Sequence, residues 1–196
     1  MYGKVFVVPF AAVALGVAGI PAAAGHSSSP RTHVIESQDD CEPTSFNAAL
    51  KDPTACVGGG ETTFGEAIAQ MLDDGEVDGW EFDPDELKIR TGETIEVRGV
   101  GGEFHTFTKV KEFGGGCVKE INDLLKLTPV DECKDLVTPP DAPPSVQIPR
   151  GFVEDAVPPG VTLKVPAAKL TPGTNKFECL IHPWMHAEVK VRAARQ

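Results

Sequence analysis

From Trp80 onward, apolar residues recur at every second position: Trp80 and Phe82, Leu87 and Ile89, Ile95 and Val97, then Phe104, Thr106 and Thr108 across from His105 and Phe107. A period of two marks half-buried strands. Thr91-Gly92-Glu93 supplies a turn between the second and third runs, and residues 99–102 separate the third from the fourth. The alternation returns over residues 161–165, Pro172-Gly173 makes a turn, and residues 175–179 and 187–191 read as the last two strands. About seven short strands with turns between them predict a sandwich of two antiparallel sheets. Ahead of Trp80 the spacing is helical: Phe64, Ala67, Ile68, Met71 and Leu72 follow Thr62-Thr63, with Glu66 three residues after Thr63. That is the signature of a capped amphipathic helix over residues 64–72, in which Met71 is core packing.

Two segments break the pattern. Residues 25–40 are rich in Ser, His and charge without periodicity, and are expected to be a flexible lead-in with no functional role. Residues 111–160 hold Gly114-Gly115-Gly116, Cys117 and Cys133, a short helical stretch around 120–127 and many prolines. They read as a stapled surface insertion. The domain reading is therefore 1–24 signal, 25–40 lead-in, 41–79 N-terminal extension with a short helix, and 80–196 a β domain carrying the insertion. The glycines of residues 99–102 precede no helical pattern, which excludes a phosphate-binding loop.

The signal reading rests on Lys4, the apolar run 5–20 and Ala22-Ala23-Ala24, a small-residue pattern suited to a signal peptidase. Pro9 and Gly16 interrupt the run, which is also short for a membrane span. The expected location is periplasmic or secreted, with no stable membrane insertion after cleavage. The formal charge is −11, and losing Lys4 takes it to about −12, with 17 basic against 29 acidic residues. Phosphates would be repelled, so nucleic acid is excluded as a partner, and a basic protein is favoured. Five cysteines leave one thiol over. If Cys179 stands apart, the other four allow three connectivities, of which the local one is preferred: Cys41 with Cys56 and Cys117 with Cys133.

Cys179 has chemistry of its own. In Phe177-Glu178-Cys179-Leu180-Ile181-His182-Pro183-Trp184-Met185 a thiol, an imidazole and a thioether share one short loop, and the chain must reverse within it to enter the last strand. Pro183 removes a backbone donor and stiffens the turn. Two imidazoles and a thiolate in a trigonal set with a weak axial thioether suit an electron-transferring copper. His105, at the end of an alternating strand, is the second imidazole. The metal-ligand set is thus His105, Cys179, His182 and Met185, holding one copper ion. Zinc on Cys179, His182 and His186 is a rival set, but one thiolate beside a Met favours copper.

Over roughly residues 80–192 the pattern resembles the cupredoxins, the plastocyanin and amicyanin family of small blue copper proteins. In that family one His comes from an early strand end, and Cys, His and Met come from the loop before the last strand, which match His105, Cys179, His182 and Met185. The two-residue gaps flanking His182 are similar to the short amicyanin loop. The resemblance implies an all-β Greek-key sandwich and a mononuclear type 1 copper electron carrier that is not an enzyme. It implies further that electrons pass through an exposed edge of His182, in an apolar patch that Pro183, Trp184 and Gly101 could form. Redox proteins would be the partners, steered by Asp73, Asp74, Glu76, Asp78, Glu81, Asp83, Asp85 and Glu86, and the protein would act as a monomer. Thr106 stands where the family often carries Asn or Ser, and its hydroxyl could tie the strand to the ligand loop. The insertion and the segment before Trp80 depart from the minimal fold, and neither is expected to touch the ligands. No His adjoins Cys179, which removes the wire to a second copper used by multicopper oxidases. The alternative function is copper storage, delivery or tolerance.

Overall fold

The structure, a computed structural model, describes residues 31–133 and 154–193. The signal reading and the proline-rich middle of the insertion lie outside them. Among the described residues, ten strands form two four-stranded sheets and one short two-stranded ribbon, and three α-helices pack around them. The first sheet runs β2 (Glu81–Asp83), β1 (Thr32–Gln38), β4 (Thr94–Gly99), β8 (Thr162–Val165). The second runs β3 (Glu86–Arg90), β10 (His186–Arg192), β9 (Gly173–Glu178), β6 (Thr108–Val110). The ribbon pairs β5 (His105–Thr106) with β7 (Ala156–Val157).

In β2, β4, β9 and β10 the alternating positions face inward as expected, whereas residues 105–108 are buried on both faces. Ile35, Phe82, Ile95, Val97 and Val165 from one sheet meet Ile89, Phe177, Val189 and Val191 from the other in a single core. Phe107 bridges them, edge-on to Phe82 at 5.0 Å and stacked on Phe177 at 4.3 Å between ring centroids. Each such buried ring contributes roughly 1.5–3 kcal/mol. The architecture is the all-β sandwich, with one correction: the sheets are mixed. β1 lies parallel to β4, and β3 lies parallel to β10. β3 and β4 are joined by a tight turn with Gly92 at φ 90°, yet they part to opposite sheets, so each finds a partner far away in sequence. Alternation sets which face is buried, and it is silent on which strand lies alongside.

A second correction concerns residues 25–40. Residues 32–38 are not a lead-in but the strand β1, paired on both sides. Its signal is weak because only Ile35 and Ser37 are buried, one apolar and one polar.

The segment 41–79 carries two helices. α2 (Phe64–Asp74) has the expected capping box between Thr63 and Glu66, buries Ala67 and Met71, and ends on Gly75 in the left-handed region at φ 81°. Leu72, expected on its buried face, is exposed. α1 (Pro43–Leu50) was not expected: Glu42 caps it, Pro43 starts it, and Phe46 alone is fully buried. Phe46 stacks on Trp80 and meets Phe64 edge-on, which fastens both helices to the sandwich. α3 (Lys119–Leu125) is the short helix of the insertion. Both preferred disulfides are present, Cys41–Cys56 and Cys117–Cys133.

Candidate metal centre

β9 ends at Glu178 and β10 begins at His186, so residues 179–185 form a closed turn between paired strands. The turn is tied across its own base: Cys179 N–H donates to the Met185 carbonyl at 3.1 Å, and Met185 N–H donates to the His182 carbonyl at 2.9 Å. Cys179, His182 and Met185 are all buried. β5 approaches from the side and presents His105, which is fully buried.

The result is a cluster of His105, Cys179 and His182 whose ligand atoms all lie within 4.8 Å of one another. Cys179 Sγ is 3.8 Å from Nδ1 of each histidine, and the two Nδ1 atoms are 3.2 Å apart. Donors at these separations can share one ion at ordinary bond lengths of about 2.0–2.3 Å. One thiolate and two imidazoles fit copper in a trigonal set. His186 stands outside the cluster, half-exposed and stacked on Phe113 at 4.0 Å, with Nε2 3.6 Å from Glu178. The rival zinc set is therefore not assembled.

Electrostatics favour the ligating form of the thiol. Burial works against a Cys179 thiolate, but hydrogen bonds and charge from His105 and His182 prevail and hold the thiol well below its usual range. Burial likewise opposes charging His105, yet contacts with Asp39 and Cys179 push its pKa up to about 10. Behind the cluster, burial raises the Glu178 carboxyl to about 8.

Thr106 occupies the position expected of it. Its Oγ1 accepts the Leu180 N–H at 2.9 Å, tying β5 to the loop. Two further residues at the site were not foreseen. Asp39, with a fully buried side chain, places Oδ2 2.8 Å from His105 Nε2. Although burial works against its charge, contacts with His105 and the N–H groups of Glu103 and Gly102 lower its pKa to about 2. A carboxylate can only accept, so Nε2 carries a proton and Nδ1 is the nitrogen that faces the cluster, free to ligate once its own proton is displaced. Glu103 accepts from Trp80 Nε1 at 2.7 Å and lies 3.5 Å from His182 Nε2. Burial pushes its carboxyl up. Neither residue has a periodic signal: only the pairing of β1 with β4 brings Asp39 to His105.

Both segments expected to stay clear of the cluster in fact hold its neighbours along the chain. Beside the Cys41–Cys56 bridge, Val57 N–H donates to the Gly102 carbonyl at 2.8 Å, close ahead of His105. Beside the Cys117–Cys133 bridge, Cys117 N–H donates to the Leu180 carbonyl at 2.6 Å, next to Cys179. A Cβ on Gly116 would lie 2.3 Å from that carbonyl oxygen, so glycine permits the approach.

The surroundings of His182 differ from the expected patch. Its side chain is 9% exposed, and it reaches the surface through an apolar cleft of about 420 Å³ between the three helices. Phe46, Met71, Trp80, Leu124 and Trp184 are among its walls. Gly101 packs against Asp39 instead. On the far side of Trp184, Glu76, Asp78, Glu81 and Asp85 line a polar groove that also contains His186.

No protein-family model matches the chain, and no curated protein is significantly similar to it. Among solved structures, the chain is similar to a purple cupredoxin from Nitrosopumilus maritimus at 16% identity and a TM-score of 0.35, over 62% of this chain and 90% of that one. It is similar to oxidised plastocyanin from Dryopteris crassirhizoma at 22% identity and a TM-score of 0.30, over 58% and 90% of the two chains. A reduced amicyanin variant matches at 15% identity and a TM-score of 0.32, over 64% and 90%. These structures are cupredoxins. At such identities and scores the likeness says nothing of what this chain binds.

Proposed function

We propose that this protein is a mononuclear type 1 copper electron carrier working outside the cytoplasm, with His105, Cys179 and His182 as the strong ligands and Met185 as the axial one. The observation that carries this reading is the buried cluster of two Nδ1 atoms and one Sγ facing one another. Copper, when bound, supplies a one-electron couple, and no substrate is changed. The chain's own residues hold the donors still: Thr106, Asp39 and the backbone ties within residues 179–185 fix the ligand positions before any metal arrives. A site so held suits two oxidation states with little rearrangement. Its burial also argues against delivery or storage, which need an exchangeable ion.

Electrons leave through His182, which lines the apolar cleft beside Trp184. The acidic groove across Trp184 suits a redox partner with a basic surface. Two disulfides accord with an oxidising compartment.

The test is to titrate the purified protein with cupric ion and record the visible spectrum, beside Cys179→Ser. An intense thiolate-to-copper band at one equivalent is expected in the parent and absent in the variant. A colourless parent would end the type 1 assignment.

A further inference from the structure

Among the described residues, Asp39 is the one charged side chain with a fully buried, short hydrogen bond to a residue of the cluster. Its Oδ2 lies 2.8 Å from His105 Nε2 and also accepts the Glu103 N–H at 3.0 Å, while Oδ1 accepts from Gly102 at 2.9 Å and Cys41 at 3.3 Å. Space for it is left by a glycine: a Cβ on Gly101 would fall 1.9 Å from Oδ2. A carboxylate with four donors and no solvent is fixed in place and in charge. It reaches the site only because β1 ends beside β4, where Gly99 is paired with Ser37.

We propose that Asp39 is a positioning residue of the metal centre: it holds His105 as the Nε2–H tautomer, directs Nδ1 at the ion, and by its buried negative charge holds the reduction potential of the centre down. The inference rests on the copper reading above. The hydrogen bond increases the basicity of the ligating nitrogen. A fixed anion in a dry site attracts the more highly charged oxidised ion more strongly than the reduced one. Both effects favour the cupric state.

Asp39→Asn removes the charge and keeps the shape. Its potential, measured by redox titration of the visible band, is expected above that of the parent. Its cupric affinity, measured by competition with a chelator, is expected to fall by about 10- to 100-fold, and its cuprous affinity by less. Each tenfold difference between the two losses corresponds to about 59 mV. A second measurement needs no variant: nitrogen NMR of the parent in its diamagnetic reduced form should show a slowly exchanging proton on His105 Nε2. A proton on Nδ1 instead would overturn the proposal even if Asp39→Asn did not fold. An unchanged potential in a folded, blue variant would overturn it too. In either case a blue parent leaves the copper reading standing, whereas a parent that binds no copper ends both.

Discussion

The hydroxyl of Thr106 accepts the Leu180 N–H at 2.9 Å, and the N–H of the same residue points at Cys179 Sγ at 3.5 Å. One small residue thus links the strand that carries His105 to the loop of Cys179 and His182. Thr106→Val keeps the volume and leaves a buried N–H without its acceptor, which costs about 1–3 kcal/mol. Urea denaturation of the metal-free protein should show that loss as a lower midpoint at constant slope, and Thr106→Ser should recover most of it. At this scale, legibility followed the chemistry of each side chain. Cys179 and His182 share a loop too short to separate them, and His105 interrupts an alternation, so their grouping could be anticipated. Asp39 could not be, since in Gln38-Asp39-Asp40 it looks like any solvated acid. Its role exists only through pairing across a long sequence separation.

Among the elements, the helices show how local signals succeed and fail. α2 was legible because Thr63 and Glu66 cap each other and its apolar residues keep helical spacing. α1 was missed because its cap is a glutamate and it buries one side chain. That cap has a pH dependence with a definite sign. Hydrogen bonds from Ser45 and Thr44 lower the Glu42 carboxyl from an ordinary 4.5 to about 2. Its stabilising contribution is therefore present above the ordinary value and lost as pH falls through about 2. In Glu42→Gln the thermal midpoint should sit below that of the parent at neutral pH, and the gap should close as the medium is acidified across that window. A gap that stays constant in calorimetric scans would mean that charge plays no part in the cap. The parallel strand pairs were illegible for a different reason, because alternation and turns carry no information about distant neighbours.

Taken whole, the molecule is strongly acidic, and the acids near the site have a place. Glu76, Asp78, Glu81 and Asp85 line one groove, sharing Trp184 with the apolar cleft that leads to His182. Reduction by a cationic metal complex should therefore slow as salt is added, and reduction by an anionic one should quicken. Neutralising those four residues together should flatten both dependences in stopped-flow measurements, without moving the visible band. The sandwich itself was legible from alternation, whereas the attachment of the helices around the site was not, since it depends on Phe46, Phe64 and Trp80 meeting one another. The two disulfides close short segments, with separations of 15 and 16 residues. A chain synthesised from its N-terminus presents Cys41 and Cys56 together, then Cys117 and Cys133, and the free Cys179 last of all. Pairing in order of emergence would consume the other four thiols before the fifth appears. The local bridges that flank the cluster would thereby also guard its sulfur against the wrong covalent partner.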